Sequence, residues 1–144
     1  YARQFGATHT INARQADVVE AVKELTEGRG ADYAFEVIGL PQTIRQAYAM
    51  ARRGGTVTVV GAGRFDDEVP FGAMELMADA KTIRGCVYGA TDPARDVPRI
   101  LGLHQAGRLD LSRLVTRRAP LAEVNEAFRA MSAGEGVRTI LIPV

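Results

Sequence analysis

A chain of 144 residues with 47% apolar and 24% charged side chains is long enough for one domain with a real core, and its composition is that of an ordinary globular fold. Lys and Arg total 18 against 17 Asp and Glu, a formal charge of +1, and the arginines are scattered, which excludes an electrostatic footprint for nucleic acid or an anionic membrane. The one cysteine, Cys86, excludes an internal disulfide and a cysteine-rich metal site, so a reducing, cytoplasmic setting is expected, and no apolar run reaches the roughly 18 residues of a membrane span.

In chain order, Tyr1 to Gly6 carries no signal-peptide pattern and reads as the end of a helix closed by Gly6. Thr8 to Asn12 is a short strand candidate. Asp17, with Glu20 three residues on, opens a helix whose stripe is Val18, Val22 and Leu25, and Gly28 and Gly30 close it. Ala31 to Ile38 reads as a mostly buried strand. Pro41 then sits in the first turn of a helix expected to carry Arg52 and Arg53 in its last turn and to stop at Gly54-Gly55. Thr56 to Val60 is a β-branched run, the pattern of a strand covered on both faces. An acidic loop, Asp66-Asp67-Glu68, leads to a short helix near Ala73 to Ala78, then a strand from Lys81 to Tyr88. Asp92-Pro93 begins a helix to about Ala106, with Pro98 in its first turns. A strand (Leu114 to Ala119), a helix (Ala122 to Ser132) and a strand (Val137 to Ile142) complete the pattern. Alternation of strand and helix predicts an α/β fold with a parallel sheet and crossover helices.

Ligands of open parallel sheets lie beyond the C-terminal strand ends. Three strand ends here meet a glycine: Val37-Ile38-Gly39, Val60-Gly61-Ala62-Gly63 and Gly85-Cys86-Val87-Tyr88-Gly89. Glycine admits close approach of a flat ligand to the backbone, so a nucleotide-sized ligand is expected along this edge. Neither Gly61-Ala62-Gly63 nor Gly28-Arg29-Gly30 has the strand-turn-helix context of a phosphate loop. No catalytic residues are assigned: His9, His104 and Cys86 read as packing or surface residues, and Asp66-Asp67-Glu68 reads as a solvated loop rather than a metal site.

Taken in order, Phe5-Gly6-Ala7-Thr8, Phe35-Glu36-Val37-Ile38-Gly39, Gly54-Gly55-Thr56-Val57, Ile83-Arg84-Gly85-Cys86-Val87-Tyr88-Gly89, Ser132-Ala133-Gly134-Glu135 and Val137-Arg138-Thr139-Ile140-Leu141 resemble the C-terminal part of the zinc-dependent medium-chain alcohol dehydrogenases. The similarity covers essentially the whole chain and is nearest to the branch of thiol-dependent formaldehyde dehydrogenases. The resemblance implies that residues 1–144 are part of an NAD(P)-binding Rossmann domain plus a C-terminal return segment. By it, Val37 and Ile38 line the adenosine side, and Val60, Gly61 and Ala62 pass the nicotinamide ribose. Cys86 and Tyr88 lie near the nicotinamide, and Arg138 reaches the pyrophosphate. The cofactor is NAD or NADP. Zinc belongs to the full-length protein, its ligands and the glycine-rich turn lying outside this chain.

The implied reaction is hydride transfer between an alcohol or aldehyde and NAD(P), with this chain alone inactive. Two other readings fit the same residues: a zinc-free quinone or enoyl reductase of the superfamily, or a non-catalytic nucleotide-binding or dimerisation module. With the strand order 3-2-1-4-5-6 of that fold, Thr8–Asn12 is strand three, and strands one and two are missing between it and the next. It is therefore expected to be unpaired, re-paired or swapped with another chain. The strand from Lys81 to Tyr88 is an edge and is expected to pair with its two-fold mate in a homodimer.

Overall fold

The computed structural model describes residues 1–143, which divide into two compact units, Tyr1–Ala90 and the residues from Thr91 onward. In the first unit, α1 (Val18–Leu25) starts where the Asp17 carboxylate accepts N–H bonds from Val19 at 2.9 Å and Glu20 at 3.1 Å. It is followed by β1 (Ala31–Glu36), α2 (Pro41–Met50), β2 (Ala51–Val59), α3 (Ala73–Asp79) and β3 (Thr82–Gly85). The three strands form a parallel sheet in the order β1-β2-β3, the order expected for the second half of a doubly wound sheet. Ala34, Val57 and Ile83 align across it. Helix α2 packs on that side, where Ala34, Ala47, Tyr48, Ala51 and Val57 form the core with Phe71 against them. Along β1 the alternate residues Tyr33 and Phe35 are exposed.

Charged contacts fasten α2 to α3 and to Lys81, the residue just ahead of β3. Arg45 lies over the rings of Tyr48 and Phe71 and donates to Glu75 at 2.7 Å. The buried Lys81 ammonium donates to the Tyr48 carbonyl at 2.9 Å, pairs with Asp79 at 3.0 Å and sits 4.3 Å from the Tyr48 ring centroid.

Several expected boundaries move. Helix α2 ends at Met50, so Arg52, Arg53, Gly54 and Gly55 lie in β2 rather than at a helix end. Sheet pairing wins there: Ala51 is opposite Ala31, and the Arg52 guanidinium meets Asp32 on the neighbouring strand. The register then slips, so that Tyr33 faces Thr56 and the intervening residues bulge, Gly54 at φ 70°. Strand β1 stops at Glu36, and β3 at Gly85 rather than Tyr88, because β2 offers no residue beyond Val59 to pair. Tyr88 instead begins a tight turn, Tyr88–Ala90. Thr8–Asn12, expected as a strand, forms none and joins neither sheet.

The second unit contains α4 (Pro93–Gln105), β4 (Arg117–Pro120), α5 (Val124–Ser132) and β5 (Thr139–Ile142). Asp92 caps α4 through the Ala94 N–H, and Pro98 is tolerated near its start. The imidazole of His104 closes the chain after α4, 2.8 Å from the Leu109 carbonyl. Strands β4 and β5 are parallel, joined by α5. Both are shorter and later than expected: Ser112–Leu114 is a single tight turn held by Asp110, and pairing runs only from Arg117 opposite Thr139 to Pro120 opposite Ile142.

Candidate functional site

The C-terminal ends of β1 and β2 meet backbone to backbone. The Glu36 carbonyl accepts the Val60 N–H at 2.7 Å and the Gly61 N–H at 3.1 Å. A Cβ on Gly61 would fall 2.1 Å from the Gly39 nitrogen, and one on Gly39 would fall 2.5 Å from the Ala62 carbonyl carbon. Gly39 also holds φ at 91°, which a side chain rarely adopts. Thus Ile38 and Gly39 lie against Gly61 and Ala62, with Val37 and Val60 next to them in the chain. Val37 and Ile38 are 67% and 62% exposed, and Val60 is 42% exposed, so an apolar rim faces solvent at the strand ends.

The carboxylate beneath this rim is buried, with Glu36 only 4% exposed. Its Oε1 accepts the Ile38 N–H at 2.8 Å, the Gly39 N–H at 2.8 Å and the Thr43 hydroxyl at 2.7 Å, while Oε2 is buried with no hydrogen-bond partner. Burial alone would push this carboxyl up. The Gly39, Thr43 and Ile38 donors outweigh that and hold it below its ordinary value.

The end of β3 joins the same edge. Cys86 donates its N–H to the Val59 carbonyl at 2.9 Å, and its thiol is free and half-buried. Val87 and Tyr88 are 80% and 86% exposed, with Tyr88 at φ 48°. An open hollow of about 280 Å³ lies between Ile11 and Val18 on one side and Phe35, Val37 and Ile38 on the other.

Arg138 belongs to the second unit, exposed just ahead of β5. Its backbone is pinned by Thr116, whose hydroxyl oxygen accepts the Val137 N–H at 3.0 Å and the Arg138 N–H at 3.2 Å and donates to the Arg138 carbonyl at 3.2 Å. Gly136, at φ 74°, passes so close that a Cβ there would lie 2.7 Å from that oxygen. Beside it Val124, Phe128, Met131 and Leu141 line a groove of about 430 Å³.

Two contributors were missed by the sequence reading. A charged residue inside the apolar run Phe35-Glu36-Val37-Ile38 was a signal for Glu36, because a carboxylate in such a run needs partners. Thr116 offered no local signal, since its partners lie 21 and 22 residues away. Among the described residues, no three His, Cys, Asp or Glu side chains come together as metal ligands.

The profile of the family described as zinc-binding dehydrogenase matches residues 1–105. A geraniol dehydrogenase of Castellaniella defragrans is 36% identical over 142 residues, 98% of this chain and 38% of that protein. An NDMA-dependent alcohol dehydrogenase of Amycolatopsis methanolica is 34% identical over 146 residues, again 98% and 38%. Among solved structures, benzyl alcohol dehydrogenase from Acinetobacter calcoaceticus superposes with a TM-score of 0.91 at 32% identity, covering 99% of this chain and 39% of that one. The chain thus spans less than two fifths of the length of the curated relatives it matches. These names reach the family and not the narrower formaldehyde dehydrogenase branch. The ordered motifs, the parallel sheet and these likenesses agree: the chain belongs to the zinc-binding dehydrogenase family.

Proposed function

We propose that this chain is one wall of the dinucleotide cleft of an NAD(P)-dependent alcohol dehydrogenase that moves hydride between an alcohol and its aldehyde. The observation that carries this is the closure of Ile38–Gly39 on Gly61–Gly63 beneath an exposed apolar rim. A flat ring can lie on such a rim, and the glycines let it reach the backbone. Val37 and Ile38 take the adenosine end. Val60, Gly61 and Ala62 run along the nicotinamide ribose. The Cys86 and Tyr88 backbone groups orient the nicotinamide carboxamide, and the Arg138 guanidinium takes the pyrophosphate. When bound, the nicotinamide supplies the hydride acceptor. This chain's residues bind and orient it and keep water from its apolar side.

Zinc belongs to the full-length protein in this reading, with ligands outside the chain. The full-length protein also pairs through the free edge of β3 as a homodimer, in a reducing cytoplasmic compartment suited to the free Cys86 thiol. The test is to incubate the full-length protein with NAD or NADP and a series of primary alcohols. Formation of reduced nicotinamide is expected with one nucleotide, and chelation should abolish it while reduced cofactor still binds. No reduction with any alcohol, or turnover of quinones or enoyl substrates that survives chelation, would overturn this function.

A further inference from the structure

Glu36 bonds to both strand ends that form the rim, at Ile38–Gly39 and at Val60–Gly61. Its backbone carbonyl holds the N–H groups of Val60 and Gly61, at the end of β2. Its side-chain oxygen holds the N–H groups of Ile38 and Gly39 and the hydroxyl of Thr43, so the β1 end, the turn and the first turns of α2 share one anchor. The two backbones it fixes pass so closely that neither Gly39 nor Gly61 can carry a side chain. A small movement of the turn therefore moves both halves of the rim.

We infer that Glu36 is a positioning residue for dinucleotide binding: it touches no ligand, and it sets the spacing between the Ile38–Gly39 backbone and the Gly61–Ala62 backbone that the cofactor must span. This rests on the cleft reading given above. A carboxylate suits the task because one oxygen accepts three donors at once, which a neutral oxygen does less strongly. Its second oxygen is buried and unpartnered. An amide at this position would keep an acceptor for the turn but would place two N–H donors where nothing accepts them. The alternative is that Glu36 contributes only to folding, as many buried carboxylates at strand ends do.

The experiment measures reduced-cofactor affinity by fluorescence titration, together with cofactor KM, alcohol KM and kcat, on the full-length protein. The variants are Glu36→Ala, Glu36→Gln, Thr43→Val and a core control, Val57→Ala. Glu36→Ala is expected to weaken cofactor binding by between about tenfold and a hundredfold, as misplacement of a binding backbone does. Alcohol KM and kcat at saturating cofactor should stay within about threefold, a split read directly as free-energy differences. Glu36→Gln should fall between wild type and Glu36→Ala. Thr43→Val removes one donor, keeps the fold and should weaken binding by about threefold, half a log unit in affinity. Val57→Ala, which loses stability without touching the rim, should bind cofactor as wild type does.

If the Glu36 and Thr43 variants match Val57→Ala in cofactor affinity, Glu36 is structural only and the inference fails. If wild type itself binds neither NADH nor NADPH, the cleft reading fails first. Should Glu36→Ala not fold, Thr43→Val decides: unchanged affinity in it overturns the proposal.

Discussion

Arg138 and Thr116 show how one hydroxyl can pin the backbone of a residue 22 positions away. Thr116 accepts two N–H bonds and donates one to the segment that carries Arg138, and Gly136 packs against it without room for a side chain. If Arg138 takes the pyrophosphate, Arg138→Ala should raise cofactor KM by between about tenfold and a hundredfold, the worth of a charge-assisted bond. Thr116→Val should raise it less. In the double variant Thr116→Val should add nothing, because its effect passes through Arg138. Additive losses in that cycle would separate the two residues. Glu36 makes a pH prediction of its own. Its donors hold the folded carboxyl below the ordinary 4.5 despite burial. A folded value below the unfolded one means stability that is present above about pH 4.5 and lost as pH falls through the folded value. The stability gap between wild type and Glu36→Gln in urea unfolding should therefore be flat near neutrality and narrow on acidification below that point. A gap that is constant through that range would show that the carboxylate's charge contributes nothing.

At the scale of elements, what was legible was what depends on local pattern. The β-branched run Thr56–Val60 announced the central strand, and Asp17, Pro41 and Asp92 announced helix starts that the structure places within a residue. The ends of elements depended on neighbours and were not legible. Arg52 and Arg53 look like the end of a helix, yet Ala51 finds Ala31 and Arg52 finds Asp32 across the sheet, so the chain extends instead. Strand β3 looked longer because Cys86, Val87 and Tyr88 suit a strand, but β2 had no residues left to pair with them. The strand-end glycines were read as points where a ligand approaches the backbone; what Gly39 and Gly61 meet in the structure is the backbone of the other strand end. What the sequence could not show is that β1 and β2 are each other's close neighbour there. Gly39→Ala tests that contact. It forces a Cβ against the Ala62 carbonyl and onto a φ of 91°. The expected loss is about 2–4 kcal/mol of unfolding free energy, from backbone strain plus displacement of a backbone neighbour. A loss below about 1 kcal/mol would mean that the two strand ends separate easily.

At the scale of the molecule, this chain leaves two flanks of its three-stranded sheet open. On one sheet face Tyr33 and Phe35 are 69% and 64% exposed, and the β1 flank pairs with no further strand among the described residues. In the full-length protein proposed above, strands from outside this chain cover that flank. The β3 flank has no such claimant, and the free N–H and C=O groups of a sheet edge invite another strand. The direction of those groups follows from one bond. Cys86 donates to Val59, so its peptide groups face β2. By alternation along the strand, Arg84 and Thr82 also face inward, and Ile83 and Gly85 present theirs outward. A second copy related by a two-fold axis would meet that edge with the same groups and continue the sheet across the interface. Proline at Ile83 removes an outward N–H without removing any bond to β2. Light scattering on the full-length protein should therefore give a dimer for wild type and a monomer for Ile83→Pro, with the far-ultraviolet spectrum of the two alike. A dimer that survives Ile83→Pro at the same concentration would place the interface on another surface.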